Sequence, residues 1–376
     1  MTFPNKTIKK IRNSNLELYR IIVMLLIVAH HYVVNSGLFE VLRESPASVS
    51  TVSMILFGAW GKTGINCFVL ITGYFLCRSS FSWRKLLKLY LQLIFYAIII
   101  YGILCFTGHE SFSAIKSGLI LFPIKSLTKN FLDCFLVFYL FIPFLNKFLS
   151  ILDKRNHTLL CILLITFYTI LPSNPYFSFS FNYVEWFIAL YIFAAYLRNY
   201  SYEWKISHRH WGYITILMFV AGCMSILVFY YAYTHSYYSG FQPYFFISDS
   251  NKILALGIAV SSFMWFKDLK FRHLTIVNKI GATTFGVLLI HANSDAMRQW
   301  LWRETIDCKG HFEALSPTFT LAYAIVSVVT IFSVCALIDW LRGEYLEPLY
   351  LSKLESLLTK RKSKKIRVES EPNPQT

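Results

Sequence analysis

Apolar residues fall in ten long runs separated by short polar stretches, at 18–37, 50–77, 86–106, 130–151, 157–172, 180–198, 211–233, 251–268, 278–297 and 317–341. A helix needs roughly 20 predominantly apolar residues to cross a bilayer. Most of the runs reach that length; the fifth is short and the ninth holds several polar residues. The pattern predicts an all-α, polytopic membrane protein with about ten transmembrane helices. The longest outer loop, about 107–129, contains the apolar stretch Gly118–Pro123. That stretch is too short to span and is expected to lie at the interface or to re-enter the membrane. No internal repeat is visible, so the signature of many inverted-repeat transporters is missing.

Composition agrees. Hydrophobic residues make up 56% of the chain and charged residues only 15%, against about 25% charged in a soluble domain. Too few charges remain to cover a globular surface, which excludes a soluble enzyme and a disordered scaffold. The net charge of +16 is what cytoplasmic loops supply, since Lys and Arg set orientation, and it calls for no nucleic-acid partner. With the N-terminus inside, 26 Lys and Arg fall on inner segments and 7 on outer ones. That asymmetry predicts an even span count with N-in and C-in orientation. The basic start, Lys6, Lys9, Lys10 and Arg12, reads as the flank of an uncleaved first helix. The organisation expected is a cytoplasmic N-terminus (1–17), a transmembrane domain (18–342) and a charged cytoplasmic tail (343–376) that includes Lys360–Lys365. The eight Cys form no CxxC pair and no zinc spacing, so no metal is expected.

Ionisable residues inside spans are costly and mark functional candidates. The first span carries Glu17, Arg20, His30 and His31. Arg20 and His31 are eleven residues apart, within about 20° of three full turns, so they share a face about 16 Å apart along the axis. His30 points about 80° away from that line. Either Arg20 or His31 alone has an ordinary reading, as a snorkelling anchor or a satisfied buried His. Together they suit a buried general base and an anionic ligand approaching from the cytoplasm. Arg84, Lys85 and Lys88 open the third span, as positive-inside charge or as a phosphate clamp. In the second span Asn66 and Thr72 can bond across a helix contact, and Lys62 is expected to snorkel outward. Glu185 in the sixth span and His291 in the ninth are candidates for the acceptor side.

Arg20-x10-His31 in the first span, Gly64–Leu76 in the second, Lys85-Leu-Leu-Lys88 in the third, and the segments Phe141–Asn146 and Asn278–His291 together resemble the acyltransferase-3 family of integral-membrane O-acyltransferases. The resemblance covers roughly 15–345. Lys stands where many members carry Arg in the third-span motif, which keeps charge but loses the bidentate fork. The resemblance implies transfer of an acyl group, most commonly acetyl, from acetyl-CoA or another acyl-CoA to a hydroxyl of a cell-surface or lipid-linked glycan, in a bacterial plasma membrane. It implies catalytic roles for Arg20 and His31, and donor binding by Arg20, Arg84, Lys85 and Lys88. Two rival classes share the composition: a transporter or flippase for lipid-linked glycans, and a membrane glycan polymerase.

The charge partition makes a direct prediction. Reporter fusions after Lys205 and after Lys270 should both read cytoplasmic; an external reading at either position breaks the N-in, ten-span arrangement.

Overall fold

The computed structural model describes residues 13–122, 130–177, 181–235 and 242–352. Lys6, Lys9, Lys10, Arg12, Pro123, Lys125, Lys129 and the tail basic residues Lys360–Lys365 lie outside these. Among the described residues there are helices and no strands. The α-helices are α1 (Ser14–Val34), α2 (Leu38–Glu44), α3 (Val49–Phe57), α4 (Gly61–Leu76), α5 (Trp83–Phe106), α6 (Ala114–Ile120), α7 (Phe131–Ile151) and α8 (Lys154–Ile165). They are followed by α9 (Tyr183–Tyr200), α10 (His208–Thr234), α11 (Ile253–Lys267), α12 (Thr275–His291), α13 (Asp295–Gln299), α14 (Cys308–Ala314) and α15 (Pro317–Leu341). Short polar residues start many of them by accepting a backbone N–H: Ser48, Ser82, Asn130, Asp153, Asn182, Ser207 and Ser294.

Among the described residues, seven helices are long and apolar enough to cross a membrane, or eight if α12 and the segment Asp295–Ala314, bent by 97°, form one span. Each of the ten predicted runs falls on helix, but α9 is not among those seven or eight and α11 has only 15 residues. Their burial accounts for this. Along α9, Tyr183, Trp186, Phe187, Tyr191 and Leu197 are enclosed by protein, so the helix need not satisfy lipid with its own side chains. The contrast is α10, where Ile216, Leu217, Val220, Met224 and Val228 remain exposed as a lipid-facing stripe.

Two predicted runs are broken. The second parts at Gly58–Trp60 between α3 and α4, and the ninth ends at His291 instead of continuing to 297. At the second break Asn293 donates its amide to the Leu289 carbonyl, and Ser294 caps α13; polar side chains supply what the interrupted helix loses. The described part of the stretch expected in the longest outer loop folds back along α5. Tyr101 OH accepts from Ser113 N, while Tyr90 OH donates to the Leu121 carbonyl. The segment through α6 therefore runs back alongside about 16 Å of α5.

Helix α1 sits in the centre, packed by α4, α11, α12 and α15. Asn66 bonds across helices, donating to the Ser250 carbonyl and accepting from Trp186. Thr72 instead donates to Phe68 of its own helix. All eight cysteines are free, and Cys308 is buried as the first residue of α14. Close to the start of α5, a buried network ties that helix to the end of α15. Asp339 accepts from Gln92, Tyr96 and Arg342, and Arg342 also binds Glu347 and Tyr350. Glu347 in turn pairs with Lys88. The helix of α15 continues past Leu341 to Ser352 to reach these partners.

Gly286 lets α12 approach this network. A Cβ there would lie 2.0 Å from Asp339 Cγ. Gly286→Ala should therefore lower stability by about 1–3 kcal/mol through overpacking, read as a lower thermal midpoint in detergent. Gly102→Ala on α5, where nothing lies within 4 Å, should leave the midpoint unchanged or raised.

Candidate functional site

One face of α1 forms the wall of a cavity of about 660 Å³. Arg20, Met24, Ile27, His31 and Asn35 repeat along that face at helical spacing, and α4, α5, α7 and α12 complete the enclosure. The cavity therefore runs the length of the span, from Arg20 near the start of α1 to Asn35, Asn293 and Arg298 beyond its other end. Arg20 NH1 pairs with Glu17 Oε1 at 3.1 Å, across one helical turn.

Behind His31 stands His291, fully buried at the end of α12. His31 Nδ1 and His291 Nε2 are 2.9 Å apart, and His291 Nδ1 lies 2.6 Å from the Val287 carbonyl oxygen. A carbonyl can only accept, so His291 Nδ1 carries the hydrogen and, in the neutral ring, Nε2 holds the lone pair. That lone pair requires His31 to donate from Nδ1. The remaining nitrogen, His31 Nε2, is left unprotonated, which is the form a general base needs. The tautomers follow from the partners. Trp302, itself buried, stands edge-on to the His291 ring at 6.3 Å and closes off this side.

His30 also borders the cavity, although the helical angle turned it away from the Arg20–His31 line. Its role differs: Nδ1 donates to the Gly58 carbonyl at 2.6 Å, at the break between α3 and α4. A Cβ at Gly61 would lie 2.3 Å from its ring, so the imidazole is wedged into the broken helix.

The other sequence candidates are spread out. His291, expected on the acceptor side, supports His31 from behind and is not part of the cavity wall. Glu185 is exposed at the start of α9, where it and Asn182 cap each other reciprocally, away from the cavity. Arg84 and Lys85 are exposed on the first turn of α5, and Lys88 is paired with Glu347. None of the three lines the cavity, but Leu89 does, and Lys85 lies one turn before it on the same face.

Several wall residues had no signal in the sequence. Lys62, expected to snorkel outward, turns inward and donates to Tyr183 OH at 3.0 Å, and that hydroxyl donates to Asp249. Arg298, Asn130 and Thr284 join the wall only because distant helices converge, while Asn35 extends the α1 face one turn past His31. Among the described residues the wall carries three cations, Arg20, Lys62 and Arg298, and no carboxylate. Such a low-dielectric, single-signed cavity favours anionic ligands and negative charge that develops during a reaction.

Comparison with known families finds one match over most of the chain: the model of an acyltransferase domain covers residues 13–339. No curated protein and no solved structure matches significantly.

The wedge gives a test that separates the two neighbouring histidines. His30→Ala should cost about 1–3 kcal/mol by orphaning the Gly58 carbonyl, visible as a lower thermal midpoint. His31→Ala, at the edge of a cavity, should unfold close to wild type. A larger loss for His31→Ala would give it the structural role instead.

Proposed function

The chain belongs to the acyltransferase-3 family and is a membrane acyltransferase, and from that premise we propose that it moves an acetyl group from acetyl-CoA to a hydroxyl of a cell-surface or lipid-linked glycan, with His31 as general base. The observation that carries this reading is the chain of bonds from Val287 through His291 to His31, which leaves His31 Nε2 free to take a proton in an electropositive cavity.

The chemistry follows. The acceptor hydroxyl approaches His31 Nε2, and its oxygen attacks the thioester carbonyl carbon as the proton passes to the imidazole. The tetrahedral intermediate then collapses, the C–S bond breaks, and the departing thiolate recovers the proton from His31. Holding donor and acceptor in one cavity supplies the orientation such a transfer needs. His291 plays the part of an orienting group, fixing the tautomer and accepting from the imidazolium. Arg20 at one end of the cavity suits the donor's phosphates, and Arg84, Lys85 and Lys88 at the start of α5 extend that cationic approach. Lys88 would share itself between Glu347 and the donor.

This reading includes ten spans with both termini cytoplasmic, in a bacterial plasma membrane. α9 and α11 cross inside the bundle, shielded from lipid by neighbours. Donor entry from the Arg20 end then matches the compartment that holds acyl-CoA, while Arg298, Asn293 and Asn35 face the opposite side.

Mass spectrometry of surface glycans, with and without the protein, tests the class. An added acetyl mass on the sugar repeat supports it, and unchanged glycans reject it. At matched protein levels, His31→Ala should abolish the modification, since a positioned base contributes about 10²–10⁴ in rate. His31→Gln should not rescue it, because an amide cannot take up a proton at neutral pH. His291→Leu should also lower the rate while leaving the apparent KM for acetyl-CoA near wild type. Near-normal acylation by His31→Gln would place the base elsewhere.

A further inference from the structure

A base and a donor site leave one requirement of acyl transfer unmet. When the alcohol oxygen bonds to the thioester carbon, the carbonyl π electrons move onto oxygen, and the resulting oxyanion needs a donor already in place. We infer that the Asn35 side-chain amide is that donor, an inference that rests on the acyl-transfer reading of this cavity.

Asn35 lies four residues after His31, on the same face of α1 and about 6 Å further along the axis, and it lines the cavity. It is the first residue past the helix, its backbone still helical and its N–H bonded back to the His31 carbonyl. Its Nδ2 is buried and has no hydrogen-bond partner. A buried amide N–H without an acceptor costs free energy, and in a native fold such a group calls for an explanation. An oxygen that becomes strongly negative only during reaction is one: the penalty is carried at rest and relieved in the transition state.

The neighbouring polar groups each have a partner in the protein. Asn293 Nδ2 donates to the Leu289 carbonyl, Arg298 binds the Ser294 carbonyl and Asp295, and Lys62 donates to Tyr183. Their positive charge still biases the site toward an anion, and each keeps further hydrogens, but of these four residues Asn35 is the one whose donor nitrogen is buried and bonded to nothing. Asn35 and His31 stand one turn apart along α1, so the assignment requires the Asn35 amide to turn toward the oxygen of a carbonyl carbon held beside His31 Nε2. The intermediate then collapses as above: the electron pair returns to form the carbonyl, the C–S bond breaks, and the proton on His31 passes to the thiolate.

The test uses the full chain in membranes of the cells that make it, with labelled acetyl-CoA as probe and label incorporated into the membrane's own acceptor as readout. Asn35→Ala should lower the maximal rate about 10²–10³-fold while the apparent KM for acetyl-CoA stays within about threefold of wild type, as expected when an interaction belongs to the transition state. Asn35→Asp, nearly isosteric, should be at least as slow as Ala, because a carboxylate repels the oxyanion. Asn35→Gln should recover part of the rate. The assignment falls if Asn35→Ala keeps more than a third of the rate, if its defect lies in KM, or if Asn35→Asp is active. Should Asn35→Ala fail to accumulate, the Asp and Gln variants decide by the same criteria. If wild-type membranes transfer no label at all, the transferase reading itself fails and takes the assignment with it.

Discussion

Helix α1 carries Glu17, Arg20, His30 and His31 into the interior of a helical bundle, and each of these polar groups finds a partner in the protein. The partners come from different places along the chain. Arg20 turns to Glu17 on its own helix, His30 to the carbonyl exposed where α3 ends, and His31 to the last residue of α12. These bonds fix the order in which α4 and α12 pack around α1, and the cavity is the space left once all are made. The two helix breaks belong to the same constraint. An uninterrupted second span would offer His30 no carbonyl, and an uninterrupted ninth would carry Asn293 past the rim.

A second set of charges does comparable work near the start of α5. Asp339 and Arg342 are both buried, and neither would be tolerable alone in a low dielectric. The network is closed by Gln92, Tyr96, Tyr350, Glu347 and Lys88, drawn from α5 and from the continuation of α15. Removing Asp339 or Arg342 leaves a buried charge without its counterpart, and removing Gln92, Tyr96 or Tyr350 leaves one short of a hydrogen bond, so the rigidity of this corner rests on the whole set. Leu89 of the cavity wall sits beside Lys88 in sequence, so the network also anchors the lower part of that wall.

Much of this was legible in the chain. Ten apolar runs lie on helix because hydropathy reports directly on which segments avoid water. Arg20 and His31 line one cavity because an α-helix converts a spacing of eleven into a shared face. What could not be read was convergence. Nothing in the sequence says that residue 291 stands against residue 31, so His291 looked like an acceptor-side group when it is His31's support. Lys62 looked like an outward anchor because its partner Tyr183 is 121 residues away. The lesser hydropathy of α9 and the shortness of α11 weaken a signal calibrated on lipid contact, since neighbouring helices provide their surroundings. The break at Gly58 had a glycine to mark it but no pattern to distinguish it from the packing glycines nearby.

The chain of bonds behind His31 ends in the Val287 carbonyl, and that ending governs where protons can travel. An imidazolium formed at His31 can share its charge with His291, but an amide oxygen is far too weakly basic to carry a proton onward. The path is a cul-de-sac. A proton taken up by His31 from the cavity finds no further acceptor along this chain of bonds. The same two rings, placed against a carboxylate with access to water, would make a conductor. The backbone oxygen makes them a reservoir holding one proton at a time.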